Sequence, residues 1–394
     1  MKFLHCSDLH LGKTLENNSR LDEQREVLQE IVEICAEENI DLVLISGDIY
    51  DAFIPPAAAE VLFYDFVLKL SENSRRKIVL IAGNHDQPER LAAAKELASN
   101  QGIYIVSKPT LLSFELKNGE QVKIAALPYL SEARFGEAFL TEIQDEHTAA
   151  DDYQQQLKTC FELISLGFSP KSANIVMAHL FVNGGKVSES ERPLAIPMQV
   201  GGSFGVSTDV FPAADYIALG HLHRPQQVKS SVPCYYSGSP LAYSFSEANQ
   251  QKIVIVAEIA MLGEEKKCNL QEIPLRSGLP LSRHMALSYD EALNWCLDER
   301  NHHCWLELQI RVESGILSAP EIDSLRKAHP HLSAIRPIYP IFDEEQKRQQ
   351  RAEELDISER FRLFAAMREG VECDDELLQA FKELISYEEV SEEI

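Results

Sequence analysis

The chain has 394 residues, of which 45% are hydrophobic, and a formal net charge of −25 at pH 7. This length and composition exclude a disordered or fibrous protein and predict a globular protein of two or three domains. The acidic balance argues against binding to nucleic acid through broad electrostatics, because that mode needs clustered Lys and Arg. An acidic chain that acts on DNA would need metal ions, a local basic patch or a basic partner.

The sequence contains no evident membrane segment or secretion signal. No apolar run approaches the roughly 20 residues that span a bilayer, and polar residues follow Met1 too soon for a signal peptide. We therefore expect a cytoplasmic protein. The eight cysteines are scattered and form no Cys-x-x-Cys pair, so we interpret them as reduced packing residues.

Short apolar runs alternate with amphipathic segments along the first part of the chain. Strands are predicted at 2–6, 41–46 and 77–82, with helices at 21–38 and 56–70. This alternation favours parallel strands joined by crossover helices. Further strands are predicted at 103–106, 121–127, 173–178, 216–219, 233–236 and 252–259, with a helix at 151–166. His5, inside the first strand, is interpreted as a structural residue.

The pattern changes near residue 276. Strands at 283–287, 304–312 and 332–339 alternate with helices at 289–297 and 319–328, which predicts a small α/β unit. Four histidines of this region have no carboxylate partners, and we interpret them as solvated turn residues: His302, His303, His329 and His331.

A charged linker at 343–354 leads to two predicted amphipathic helices at 358–368 and 375–385. They either fold back on the body or dock into a groove of a partner, and the pattern alone favours neither.

Polar side chains follow the predicted strands where each strand ends. The set is Asp8, His10, Asp48, Asn84, His85, His179, His221 and His223. Such side chains meet at one edge of an open α/β sheet, and carboxylate, imidazole and amide ligands without thiolates suit Mn²⁺, Fe or Zn²⁺. The set exceeds the needs of one metal ion. It therefore predicts a pair of metals about 3.5–4 Å apart with a shared carboxylate.

These motifs resemble those of the calcineurin-like metallophosphoesterases. The matching residues, in the family's order, are Asp-x-His at 8–10, Gly-Asp at 47–48, Gly-Asn-His-Asp at 83–86, His179, and Gly-His-x-His at 220–223. The resemblance implies an α/β fold, a metallophosphoesterase β-sandwich flanked by helices. It implies one metal held by Asp8, His10, Asp48 and His223, and another held by Asp48, Asn84, His179 and His221. His85 would stabilise the transition state or protonate the leaving oxygen, and Asp86 would orient it.

A narrower resemblance, to the SbcD nuclease family, covers nearly the full length. It is carried by 4–12, 47–51, Pro55, Pro56, 188–193, the small α/β unit and the two C-terminal helices. It implies a homodimer that forms a heterotetramer with the ATPase SbcC, and helices near 56–70 and 88–98 are the candidates for the dimer interface. The implied activity is manganese-dependent cleavage of DNA in repair, recombination and replication, as a 3′–5′ double-strand exonuclease and a hairpin or single-strand endonuclease.

The same resemblance divides the chain into three parts. Residues 1–275 would form the nuclease domain, 276–341 a capping domain for DNA, and 342–394 the linker and the helices that bind the ATPase. A small-molecule phosphodiesterase or phosphatase of the same fold is the first rival, and it would have no use for the last two parts. A non-catalytic scaffold is the second rival, and the intact ligand set argues against it.

Overall fold

The computed structural model describes residues 1–130, 146–188, 199–200, 203–262, 265–312, 317–339 and 378. The predicted linker and the predicted C-terminal helices lie outside these residues, apart from Leu378. None of the helices in the described ranges is long and apolar enough to cross a membrane.

The first sheet has six strands, in the order Glu265–Pro274, Ile253–Leu262, Lys2–Cys6, Leu42–Ser46, Lys77–Ile81 and Ile103–Val106. The last four strands are parallel, as predicted for the first three of them, and Ile253–Leu262 is antiparallel to both its neighbours. The crossover helices Leu21–Glu37 and Ala57–Ser71 bury their apolar faces against this sheet. Two short helices, Pro88–Leu91 and Lys95–Ser99, precede the last strand.

The second sheet also has six strands, in the order Gln226–Gln227, Cys234–Tyr236, Tyr216–Gly220, Ala173–His179, Gln121–Leu127 and Thr110–Glu115. Its four central strands are parallel, and both edge strands are antiparallel. The helix Glu146–Ile164 packs on its outer face through Leu157 and Phe161. Side chains of both sheets, among them Leu44 and Met177, share one core. This arrangement confirms the predicted sandwich flanked by helices.

Three strands of the two large sheets are missing from the sequence prediction, Thr110–Glu115, Gln226–Gln227 and Glu265–Pro274. All three lie at the edge of a sheet, and the side chains described on them are half-buried or exposed. An edge strand of this kind needs no continuous apolar run, so its sequence carries little sign of it. Two short ladders, Thr14–Leu15 with Asn18–Ser19 and Gln199–Val200 with Ser203–Phe204, were also not predicted.

A third sheet of three parallel strands contains Leu281–Ala286, Trp305–Arg311 and Leu332–Ile338. The helices Tyr289–Leu297 and Ala319–Ala328 cover one face of it. The order of these elements is the predicted one. The Nε1–H of Trp305 donates to Glu23 on the first helix (2.9 Å), which joins this small sheet to the main body.

His329 corrects the interpretation of the histidines in this region. Its side chain is fully buried, although we predicted a solvated turn residue. The ring lies parallel to that of Trp295 with 5.9 Å between centroids, and its Nε2 is 3.0 Å from the carbonyl oxygen of Asn301. His302 is half-buried, with Nε2 2.8 Å from the carbonyl oxygen of Cys296, whereas His303 is exposed as predicted.

Candidate metal centre

Four of the predicted ligands lie on strained backbone. Asp8, His10, Asp48 and His221 have φ angles of 54°, 43°, 49° and 109°. Left-handed conformations cost non-glycine residues about 1–3 kcal/mol each and persist only where the surrounding structure enforces them. Hydrogen bonds between neighbouring loops do so here, since the amides of Asp8 and His10 donate to the carbonyls of Gly47 and Asp48, both at 3.0 Å.

Glycines permit the close approach of these loops. A Cβ atom on Gly83 would lie 2.1 Å from Oδ1 of Asp48, and one on Gly220 would lie 1.7 Å from the carbonyl oxygen of Ser46. Both positions exclude any side chain, which explains why glycine precedes Asn84 and His221 in the sequence motifs.

The first group of converging ligands contains Asp8, His10 and His223. Their ligand atoms lie within 4.8 Å of one another and all three side chains are buried. The Nε2 atoms of His10 and His223 are only 3.0 Å apart. The carboxylate of Asp8 is fixed by the hydroxyl of Ser7 (2.5 Å) and the amide of His221 (2.9 Å).

The second group contains Asn84, His179 and His221. Oδ1 of Asn84 lies 2.9 Å from Nε2 of His179 and 3.1 Å from Nδ1 of His221. Asp48 lies between the groups, with Oδ2 at 3.5 Å from Nε2 of His10 and 3.4 Å from Nε2 of His179. All seven predicted ligands thus lie close together, and Asp48 lies between the two groups.

Three of the imidazoles each have one nitrogen that points away from the cluster, and the hydrogen bonds of these outer nitrogens show that the cluster fits metal ions. The Nδ1–H of His10 donates to Oδ1 of Asp51 (3.2 Å) and that of His179 to the carbonyl of Ser46 (2.9 Å). Nδ1 of His223 lies 3.4 Å from Oε1 of Glu247. Acceptors at Nδ1 place the proton there and leave the Nε2 lone pair facing the cluster. Converging nitrogen lone pairs and carboxylate oxygens suit divalent metals.

Burial and neighbouring charges shift the pKa values of the cluster. Burial raises the pKa of Asp8 to about 6, with Asp48 adding to the rise and His179 opposing it. Burial lowers the pKa of His10 to about 4. Burial alone would raise the pKa of Asp48, but His179 and His10 hold it well below its usual range. In return, Asp48 outweighs the burial of His179 and raises its pKa to about 9. Asp48 and His179, with Oδ2 and Nε2 3.4 Å apart, thus each favour the charged form of the other.

His85 lies half-buried at the edge of the cluster. Its amide donates to Oδ1 of Asp48 (2.9 Å), and its Nδ1 lies 2.9 Å from the carbonyl oxygen of Asp51. We expected Asp86 to orient this ring. Instead, the carboxylate of Asp86 accepts hydrogen bonds from the amides of Ile49, Tyr50 and Gly83, so that it fixes the loops and not the imidazole.

Sequence reasoning missed Asp51 and Glu247 as supports of the ligands. Asp51 stands three residues after Asp48, within the motif at 47–51, so its position offered a signal. Glu247 lies in the short helix Phe245–Glu247, far along the chain, and nothing in the local pattern marks it.

Comparison with known proteins agrees with this geometry. Residues 1–225 match the family model of the calcineurin-like phosphoesterases. The chain is 42% identical over 395 residues to the D component of the nuclease SbcCD of Bacillus subtilis (strain 168), a match that covers 98% of each chain. The chain belongs to the SbcD family of calcineurin-like phosphoesterases. As a member of that family, it is a hydrolase of phosphate esters that uses divalent metals.

Two solved structures are similar to the chain at lower identity. A dimetal phosphatase from Danio rerio is 13% identical, with a TM-score of 0.40, over 70% of this chain and 99% of its own. A protein from Thermus thermophilus is 14% identical, with a TM-score of 0.36, over 68% of this chain and 97% of its own. Membership of the SbcD family rests on the sequence matches.

Proposed function

We propose that this chain is the nuclease subunit of an SbcCD complex and that it hydrolyses DNA phosphodiesters with a pair of Mn²⁺ ions. The observation that carries the proposal is the position of Asp48, whose Oδ2 lies 3.5 Å and 3.4 Å from the imidazoles of two separate ligand groups. A shared carboxylate of this kind is what a two-metal site requires. We further propose 3′–5′ exonuclease activity on duplex ends and endonuclease activity on hairpins and single strands, in DNA repair, recombination and replication.

The first metal position would be formed by Asp8, His10, Asp48 and His223, and the second by Asp48, Asn84, His179 and His221. When bound, such a pair activates the nucleophile and neutralises charge that develops on the phosphate. His85 would assist departure of the 3′ oxygen. Because its Nδ1–H donates to the carbonyl of Asp51, Nε2 is the nitrogen left for the leaving group, and only the doubly protonated ring would donate a proton from it.

The small sheet supports the choice of DNA as substrate, and we propose residues 276–341 as a capping domain. Its uncovered face contributes Arg283, Gln309 and Arg336 to a groove of about 420 Å³. The opposite wall includes Tyr243, whose ring packs edge-on against those of His10 and His223. Both arginines are paired with glutamates that line the same groove, Arg283 with Glu307 (2.6 Å) and Arg336 with Glu16 (2.8 Å), so the groove offers guanidinium donors to a phosphate but no net positive charge.

An exposed apolar stripe supports the homodimer. Val61, Tyr64 and Leu68 follow one another at helical spacing on Ala57–Ser71 and are 61%, 40% and 52% exposed. Leu97, on the short helix Lys95–Ser99, is 77% exposed. An exposed apolar stripe of this kind marks an interaction surface, and we propose a second copy of the chain as its partner. The C-terminal residues 342–394 would bind the ATPase SbcC.

The test is cleavage of a hairpin-ended DNA duplex in Mn²⁺ by the purified chain, with and without the ATPase partner and ATP. His85→Ala serves as the variant. We expect it to retain its metals and to lose about 10²–10⁴-fold in turnover, as is typical when a general acid is removed. A variant that loses its metals would show that His85 has been assigned the wrong role.

The same assay separates the rival functions. A small-molecule phosphodiesterase would hydrolyse a nucleotide ester without the partner and leave the hairpin intact. A scaffold with a vestigial site would cleave neither substrate and would bind fewer than two metals. Either result would contradict the proposed nuclease.

A further inference from the structure

A buried ion pair lies directly behind His223. Glu247 is fully buried and Lys252 is 7% exposed. Nζ of Lys252 is 2.6 Å from Oε2 of Glu247, and the other carboxylate oxygen is 3.4 Å from Nδ1 of His223. The opposite nitrogen of that ring, Nε2, faces Nε2 of His10, the other imidazole of the first ligand group. Lysine, carboxylate and imidazole thus form one line that ends at the metal centre.

Lys252 also fixes the backbone of the same histidine. Its ammonium group donates to the carbonyl of His223 (2.9 Å) and to the hydroxyl of Ser239 (3.1 Å), and the amide of Ser239 donates to the same carbonyl (3.2 Å). The ion pair therefore restrains both the main chain and the ring of one residue.

A gain in folding stability is a weak explanation for a buried ion pair of this kind. Removing two charges from water costs several kcal/mol per ion, and apolar replacements of buried pairs are often as stable or more stable. A carboxylate behind a ligating imidazole, in contrast, fixes the ring and raises the basicity of the nitrogen that binds the metal.

The two ligand groups differ in the hydrogen-bond acceptors that lie behind their imidazoles. His10 is backed by Asp51 (3.2 Å), and Asp51 is paired with Lys13 (2.6 Å), so both imidazoles of the first group have a lysine-paired carboxylate behind them. In the second group, Nδ1 of His179 donates to a neutral backbone carbonyl, that of Ser46.

We propose that Glu247, held by Lys252, is a positioning residue that sets the metal affinity of the first position. This inference rests on the proposed two-metal centre. It goes beyond that centre in assigning a task to two residues that bind no metal and touch no substrate.

The test is Mn²⁺ binding to the full chain by calorimetric titration, which is independent of activity. The main variant is the double substitution Glu247→Gln and Lys252→Met, which leaves no unpaired buried charge. The matched control is Asp215→Asn with Lys266→Met. That pair is also largely buried and in contact (2.9 Å), and Lys266 likewise donates to a backbone carbonyl, that of Ser172, but among the described residues its hydrogen bonds involve no imidazole.

We expect the main variant to bind one of its two ions about 10–100-fold more weakly, and the control to bind both as the unmodified chain does. Unchanged affinities in the main variant would overturn the inference and leave the metal centre standing. Failure of the unmodified chain to bind Mn²⁺ would overturn both.

If the main variant does not fold, Glu247→Asp replaces it. That change keeps the charge opposite Lys252 but withdraws the carboxylate from His223 by one methylene. We expect this variant also to bind one of its two Mn²⁺ ions more weakly. Unchanged binding by a folded Glu247→Asp chain would again overturn the inference.

Discussion

The metal centre and the small sheet are both rich in histidine, but their imidazole rings make different contacts. In the metal centre, imidazole nitrogens face one another and the carboxylate of Asp48, while their outer nitrogens are held by acceptors. In the small sheet, the ring of His284 stacks on that of Trp295 (4.3 Å, 14°), and the ring of His329 also lies parallel to the indole.

Within the described residues, the groups of converging histidine and carboxylate ligand atoms include no histidine of the small sheet. The number of histidines therefore does not make a metal site. Facing lone pairs, together with carboxylates, make one.

The largest expected effect comes from the residue shared by both ligand groups. Asp48→Ala should lose both metal ions, because its carboxylate is the contact between the groups, and DNA cleavage should fall to background. Metal analysis of the dialysed protein measures the first effect. A variant that keeps one ion would show that Asp48 belongs to a single position.

Removing the metal ions should lower the free energy of unfolding, because the ions stabilise the folded metal centre. Because folding assembles the ligands, an ion at a hundredfold excess over its Kd adds about 2.7 kcal/mol to the free energy of unfolding. Thermal unfolding in Mn²⁺ and in EDTA measures this difference. The Asp48→Ala chain is the control, and a shift of equal size in that chain would place the stabilising ions elsewhere.

His5 lies three residues from the ligand Asp8 and yet belongs to the core. Its Nδ1 is 3.0 Å from the hydroxyl of Tyr216, and burial lowers its pKa to about 3, below the value of about 6.5 in an unfolded chain. The unfolded state therefore takes up the proton first. The contribution of the neutral ring to stability is complete above about pH 6.5 and is lost as the pH falls toward the folded-state pKa.

Between pH 7 and pH 5 this loss amounts to about 2 kcal/mol. Denaturant unfolding in EDTA at both pH values, with His5→Asn for comparison, measures it. The variant should lose less stability on acidification than the unmodified chain, and an equal loss in both would show that His5 is not the group responsible.

The smallest expected effect lies in the small sheet. His284→Ala removes one stacked ring and should cost about 0.5–1.5 kcal/mol, with the metal content unchanged. Unfolding and metal analysis of one preparation measure both quantities. Loss of metal from this variant would contradict the separation of the two histidine-rich regions.

Much of the fold and of the ligand set follows from the sequence. Leu42–Ser46 is buried on both faces, so its apolar run is continuous and its end could be located to within a residue. Asp48 and Asn84 follow such strands directly. The described side chains of the edge strand Glu265–Pro274 are half-buried or exposed and its sequence is mostly polar, so the same reasoning could not find it.

Contacts between distant segments were beyond the sequence. Glu247 supports His223 from 24 residues away, and the Nδ1 of His85 pairs with a backbone carbonyl, which no residue type reveals. His329 was placed in a turn by its neighbours, but the position of Trp295 on the adjacent helix decides its burial.

The decisive experiment counts the Mn²⁺ ions bound to the full chain by metal analysis and measures their coupling by electron paramagnetic resonance. We predict two ions per chain with the signature of a spin-coupled pair, since Asp48 lies between two ligand groups. A single ion, or two ions without coupling, would contradict the two-metal centre.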